Sequence, residues 1–248
     1  MNEASLPILV SFLVNLNPLM AEIVLITAPH DAWRADISEC FSRLSEVEQT
    51  RAAAMQSPAA RTSFILTRAL LRVALGNALG CDPGTFVFEY GIHGKPALKE
   101  CPLSFNVSHT PGMSLIAFGE VPFLGVDVER LKTRKDLRRL ARAVLNDEEF
   151  RAWDQLDEAH QPRAFLRSWT LKEAFLKATG LGLQGGLKSV SMDKHSGRLM
   201  AIPARDGDPE EWQVERWEQG LYQGAVVYRG PSQLLREIAL TPQNQNKW

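Results

Sequence analysis

The chain has 248 residues, of which 45% are hydrophobic and 23% charged, and its formal net charge is -1. This length suits one compact protein or two small halves that share a core, and the near-neutral charge gives no support to a general nucleic-acid binder, which usually carries a basic excess. The isolated cysteines Cys40, Cys81 and Cys101 favour reduced thiols in the cytosol over a disulfide framework or a zinc site.

The first 19 residues match neither a membrane span nor a secretory signal. The apolar run Leu6–Leu16 is shorter than the roughly 20 residues that a span needs, and no Lys or Arg precedes it. An ordinary strand sequence, AEIVLITAP, follows Met20. We therefore predict that the natural chain starts at Met20 and that residues 1–19 are a dispensable extension.

A long helix over residues 59–79 dominates the first half of the chain. Its apolar residues recur at fourfold spacing, and Gly80 stands at its end. Ser45 and Glu48 predict a capping box for a shorter helix before it. Three arginines of the long helix recur at spacings of seven and four and predict a basic stripe: Arg61, Arg68 and Arg72. A solvated arginine face is the alternative.

Short strands separated by turns follow this helix. They are predicted at residues 86–90, 104–107, 113–118 and 123–128, and the turn over 91–96 presents Lys95. The last three suggest a meander and hence an antiparallel sheet.

The second half is predicted to repeat this plan. Helices are expected around 137–145, 147–156 and 162–179, with Asn146 and Glu149 as a cap for the second of them. Further strands are expected near 188–192, 199–202, 212–217 and 221–227. The segment after Pro231 is expected to form a short helix with a polar end.

Two acidic residues stand out in the strand that reads LGVDVER. Asp127 and Glu129 are two apart, so both carboxylates leave the strand on one face. That spacing suits a hard cation with oxygen ligands. A strand end with two solvated acids is the alternative.

A second charged group lies on the helix around RSWTLKEAFLKATG. Glu173 and Lys177 are four apart and therefore neighbours on one helix face, with Lys172 at its edge. A carboxylate between two lysines can bind a divalent metal while the lysines neutralise phosphate oxygens. The alternative is a surface helix with Glu–Lys pairs.

The third polar group is the sequence SHT that ends the strand before Pro111. Ser108, His109 and Thr110 offer hydroxyls and an imidazole, which together with turn amides form a reasonable anion site. An ordinary turn with a surface histidine is the alternative.

Taken in order, these segments resemble the 4′-phosphopantetheinyl transferase family, and most closely its larger, surfactin-type branch of single chains. The matching segments are Gly94-Lys95-Pro96, Phe105-Asn106-Val107-Ser108-His109-Thr110, Gly125-Val126-Asp127-Val128-Glu129 and Trp169-Thr170-Leu171-Lys172-Glu173-Ala174-Phe175-Leu176-Lys177. Each alone is a weak match, whereas the four together in this order are specific.

The resemblance implies an α+β fold of two similar halves related by a pseudo-two-fold axis. It places the halves at residues 20–122 and 123–232, the second with the metal site, and leaves 233–248 as a tail. It also implies a cytoplasmic enzyme, expected to be a monomer, that transfers 4′-phosphopantetheine from coenzyme A to a serine of an acyl or peptidyl carrier protein and releases 3′,5′-ADP.

The resemblance also implies roles for individual residues. Asp127, Glu129 and Glu173 would bind Mg²⁺, and Glu173 would accept the serine proton, either directly or through a metal-bound water. Lys177, assisted by Lys172, would stabilise the diphosphate. The coenzyme would be held by a further set: Arg51, Arg61, Thr62, Lys95, Ser108 and His109.

Two other classes of function remain open from the sequence. A Mg²⁺-dependent hydrolase of nucleotide diphosphates could use the same acids and lysines. A non-catalytic protein that binds coenzyme A or a carrier is the second class, but such a binder has little need of the complete charged set.

Overall fold

The computed structural model of the chain describes residues 22–91, 94–99, 101, 103–182, 186–193 and 196–246. The predictions for residues 1–19 and for a start at Met20 lie outside the described residues. The described part is a mixed α+β fold, as predicted, with two main sheets that each carry a long helix. None of its helices has the length and apolar character that a bilayer span requires.

The described helices are α1 (Ile37–Ser42), α2 (Glu46–Ala54), α3 (Pro58–Leu79), α4 (Leu137–Val144), α5 (Asp147–Asp154) and α6 (Gln161–Thr179). Both predicted N-terminal caps are confirmed as capping boxes, Ser45 with Glu48 and Asn146 with Glu149. The two long helices end at glycines with left-handed backbone, Gly80 with φ 65° and Gly180 with φ 72°. Glycine adopts this conformation without steric cost.

The described strands are β1 (Glu22–Pro29), β2 (Phe88–Tyr90), β3 (Pro96–Leu98), β4 (Ser104–Thr110), β5 (Met113–Gly119), β6 (Phe123–Arg130), β7 (Ser191–Met192), β8 (Leu199–Ala201), β9 (Trp212–Gln219), β10 (Tyr222–Arg229) and β11 (Leu234–Ala239). The first main sheet has the order β11-β1-β5-β4 and the second the order β6-β10-β9. Two short hairpins, β2-β3 and β7-β8, complete the set.

Alternation along β1 explains how the layers pack. Val24 and Ile26 belong to the apolar cluster that contains the buried face of α3, whereas Ile23 and Leu25 belong to a cluster shared with β6 and β10. Successive strand residues point to opposite faces, so the first sheet lies between α3 and the second sheet. The outer face of the second sheet packs on α6, where Phe175 contacts Trp212.

Two predictions about the strands are wrong. The meander fails at its third strand: β4 pairs with β5, but β6 pairs with β10 in the other sheet. The segment after Pro231 is a strand, not a helix, because β11 adds to β1 in parallel. Its apolar residues Leu235 and Ile238 are half-buried on opposite faces of this edge strand.

Candidate active site

The two acids of β6 lie where the alternation predicts, on the face that packs against α6. Asp127 is 5% exposed and Glu129 is half-buried. Gly125, two residues earlier on the same face, permits this packing: a Cβ there would lie 2.0 Å from the Ala174 carbonyl oxygen and 2.4 Å from the Ala178 amide nitrogen. Only glycine lets the strand backbone approach the helix this closely.

The close contact brings Lys177 of α6 onto Asp127 of β6. Lys177 Nζ lies 2.6 Å from Asp127 Oδ1 and 2.8 Å from Ser108 Oγ. Ser108 Oγ donates to the same carboxylate oxygen at 2.9 Å. Strand β6, helix α6 and strand β4 therefore meet at the Asp127 carboxylate.

The two other carboxyl groups, Glu129 and Glu173, ionise less readily than an exposed carboxyl group. Burial, followed by the charge of Asp127, raises the pKa of both Glu129 and Glu173. Asp127 Oδ2 is buried and has no hydrogen-bond partner in the described chain. A bound cation would give the buried oxygen a partner, and it would reduce the repulsion between the carboxylates.

The donor chemistry of these carboxylates fits Mg²⁺, which prefers oxygen ligands. Within the described residues, no three acidic, histidine or cysteine side chains converge closely enough to form a complete metal site by themselves. Mg²⁺ is commonly held by one or two carboxylates together with substrate phosphates. Asp127, Glu129 and Glu173 are thus suited to hold part of a coordination shell.

Lys172 does not belong to this group, and the prediction that it assists there is corrected. Its ammonium is fully buried on another side of α6, 2.6 Å from a Glu149 carboxylate oxygen. It also donates to the carbonyl oxygens of Leu187 at 3.0 Å and Val190 at 2.6 Å. Since residues five apart lie on different sides of a helix, Lys172 and Lys177 cannot both face one site.

A cleft of about 290 Å³ opens beside the acidic group. Its lining includes five predicted site residues: Arg51, Lys95, His109, Glu173 and Lys177. His109 is exposed on β4, and desolvation by the surrounding protein, then Lys177 and Arg68, lower its pKa. The cationic side chains Arg51, Lys95 and Lys177 therefore face one space together with the His109 imidazole.

Lys95 has a second set of contacts besides its place in the cleft wall. Its ammonium donates to the carbonyl oxygens of Leu124 at 2.9 Å and Ala178 at 3.2 Å. Burial lowers the pKa of this lysine to about 8. Lys95 thereby links the turn before β3 to β6 and to the end of α6.

The basic stripe of α3 is only partly present. Arg68 lines the cleft, but Arg72 is 1% exposed and its guanidinium binds Glu48, so the prediction of a continuous stripe is wrong. Arg61 is exposed and donates to the Met55 carbonyl oxygen at 2.7 Å. Thr62 is exposed on the same turn, and neither residue is among those that line the cleft.

Sequence reasoning missed a threonine that does line the cleft, although its hydroxyl donates to the Ser63 carbonyl oxygen at 2.7 Å. Thr67 contributes to the wall together with Phe64 and Arg68, and its hydroxyl is 2.9 Å from Ser114 Oγ. Spacings of three and four on one helix place these residues on a common face. That periodicity was the available signal, and it favours Thr67 over Thr62.

Comparison with known proteins gives concordant matches. The model of the 4′-phosphopantetheinyl transferase superfamily matches residues 123–227. The chain is 35% identical over 173 residues to the 4′-phosphopantetheinyl transferase HetI of Nostoc, covering 68% of this chain and 73% of that protein. It is 28% identical to the 4′-phosphopantetheinyl transferase Sfp of Bacillus subtilis, over 57% of this chain and 62% of that protein. It is 36% identical to the 4′-phosphopantetheinyl transferase AcpT of Escherichia coli, over 43% of this chain and 55% of that protein.

Proposed function

Since the chain belongs to the 4′-phosphopantetheinyl transferase superfamily, we propose that it transfers the phosphopantetheine arm of coenzyme A to a serine of an acyl or peptidyl carrier protein. The observation that carries this proposal is the meeting of Asp127, Glu173 and Lys177 beside a cleft whose walls carry Arg51, Lys95, Arg68 and His109. Acids that suit a metal and cations that suit a diphosphate share one space.

The reaction is a displacement at phosphorus. The carrier serine oxygen attacks the β-phosphorus of coenzyme A, and the oxygen that bridges the two phosphates leaves with 3′,5′-ADP. The serine proton must go to a base. Glu173 suits this role because burial and neighbouring acids raise its pKa toward the working pH, which favours proton uptake.

Charge on the diphosphate grows as the bridging bond breaks. Lys177 lies at the acidic group and lines the cleft, so its ammonium can stabilise that charge. When bound, Mg²⁺ would supply further charge neutralisation, held by Asp127, Glu129 and Glu173. Ser108 orients Asp127 and Lys177 by hydrogen bonds, and this geometry favours a supporting role over direct phosphate contact.

The coenzyme would lie along the cleft with its phosphates against the cationic walls. His109 and Lys95 come from the first half and Lys177 from the second. Arg51 of α2 and Arg68 of α3 both lie against Phe64 in the cleft wall and suit the 3′-phosphate, since charge-assisted bonds from arginine to phosphate are strong. We further propose that the enzyme acts in the cytoplasm as a monomer.

Release of 3′,5′-ADP from coenzyme A, measured with and without an apo carrier protein, tests this function. A transferase releases 3′,5′-ADP only when the carrier is present. The molar amount of 3′,5′-ADP released then equals that of the modified carrier. Release without a carrier would instead indicate a hydrolase, and coenzyme binding without any release would indicate a binder.

A further inference from the structure

Alternate side chains of β4 reach across to β6 although the two strands belong to different sheets. Ser104 Oγ donates to the Val121 carbonyl oxygen at 2.5 Å, just before β6 begins. Asn106 Oδ1 accepts from the Val126 amide at 2.8 Å, and Ser108 Oγ accepts from the Val128 amide at 3.3 Å. Side chains of β4 thus connect the two main sheets at this point.

These bonds satisfy backbone groups that β10 cannot reach. In an antiparallel pair, successive residues alternately point their amides at the partner strand and away from it. β6 pairs with β10 on one side, and the amides of Val126 and Val128 point to the other. Both residues are buried, so an amide left without a partner would destabilise the fold.

Asn106 is placed to act on the reaction through this contact. It is 4% exposed, it lines the cleft, and its bonded partner Val126 directly precedes Asp127. Three residues further along β4, His109 lines the same cleft. Together with Ser108, the Asn106 amide oxygen therefore connects the strand that carries the coenzyme-facing histidine to the strand that carries the acids.

We propose that Asn106 is a positioning residue that sets β6, and with it Asp127, relative to the coenzyme-binding wall. This inference rests on the proposed transferase function. Asparagine suits the position because its side-chain carbonyl accepts the bond without adding a buried charge beside Asp127. Leucine has the same number and branching of side-chain heavy atoms but no acceptor.

The test compares Asn106→Leu with Ser104→Ala, which removes a side-chain bond from the same strand at a point remote from the acids. We expect Asn106→Leu to lower kcat about tenfold and to raise the Mg²⁺ concentration for half-maximal rate, because small displacements of reacting groups are costly. We expect KM for coenzyme A to change less. Ser104→Ala should change melting temperature only. Equal effects of the two variants on kcat and on Mg²⁺ requirement would overturn the proposal.

Amide hydrogen exchange of the unchanged protein tests the contact even if Asn106→Leu does not fold. The Val126 amide should exchange as slowly as that of Asp127, which faces β10. Rapid exchange at Val126 alone would overturn the proposal. If the wild-type protein modified no carrier, the transferase function would be refuted. The exchange measurement would still decide whether Asn106 holds β6.

Discussion

Lys177 and Asp127 form an ion pair across the contact between α6 and β6, with 2.6 Å between Nζ and Oδ1. The pair is possible because Gly125 allows the strand backbone to lie against Ala174 and Ala178. One carboxylate oxygen is thereby used by the lysine and by Ser108, while the other has no partner in the described chain. This unused oxygen and the two neighbouring acids, Glu129 and Glu173, form the proposed metal site.

Asp127→Asn should lower the transfer rate by about 10²–10³, since losing one charged group at such a site typically has that effect. The side chains have equal size, so melting temperature should change little. Asp136→Asn alters an exposed acid paired with Arg139 nearby in the chain and should keep the normal rate. Rates are measured from carrier modification, and near-normal turnover of Asp127→Asn would remove Asp127 from the site.

Glu129→Gln should raise the melting temperature at pH 7 by about 2 °C. The pKa of Glu129 is raised in the fold, so the folded chain binds its proton more tightly than the unfolded chain. Stability therefore falls as pH rises from the ordinary value of 4.5 through the raised value, and the neutral amide removes this loss.

Calorimetry at pH 7 and at pH 4 checks the sign for Glu129. The gain from the amide should disappear at pH 4, where the carboxyl group is protonated. The variant should also lose most of the stabilisation that Mg²⁺ gives the unchanged protein. A gain that is equal at both pH values would contradict the explanation.

Lys172→Met should mainly lower stability, whereas Lys177→Met should mainly lower activity. Lys172 is fully buried against Glu149, so its loss should lower the free energy of unfolding by about 3 kcal/mol through an unpaired buried charge. The folded fraction should keep its kcat. Lys177→Met should lose activity with a smaller change in stability. Denaturant unfolding and kcat are measured on both variants. A lowered kcat in folded Lys172→Met would show that Lys172 acts in the active site after all.

His109→Ala should raise KM for coenzyme A about tenfold, because a lost contact to a charged group costs about 1.5–3 kcal/mol. The effect on kcat should be smaller. Arg61→Ala is the matched control, since that arginine binds a carbonyl oxygen outside the cleft. If Arg61→Ala raised KM as much as His109→Ala, the coenzyme would not follow the cleft described here.

Gly125→Ala should destabilise the chain by about 1–3 kcal/mol, because the new methyl group meets rigid backbone rather than a movable side chain. It should also lower kcat by separating Asp127 from Lys177. Gly91→Ala is the control, with its nearest neighbour 3.8 Å away. Thermal melting and transfer rates measure both effects, and a Gly125→Ala variant with normal stability would show that the close contact is not required.

The sequence predicted the local structure well where short-range chemistry decides it. Capping residues Ser45 and Asn146 and the glycines that end α3 and α6 act on their own helix, so their effect is readable from neighbouring residues. The alternation that places Asp127 and Glu129 on one face is equally local.

Long-range pairing could not be predicted in the same way. Nothing near β6 indicates that it pairs with β10, almost 100 residues later, or that β11 returns to β1. The roles of Lys172 and Arg72 were misjudged for the same reason, because their partners Glu149 and Glu48 are distant in sequence. A basic residue on a helix is read as solvent-exposed until its partner is known.

The most direct test is the intact mass of an apo carrier protein after incubation with this protein, Mg²⁺ and coenzyme A. We expect a gain of one phosphopantetheine arm, which EDTA and Glu173→Gln both abolish. A carrier that gains no mass although the protein binds coenzyme A, across fatty-acid, polyketide and peptide-synthetase carriers, would contradict the proposed transfer reaction.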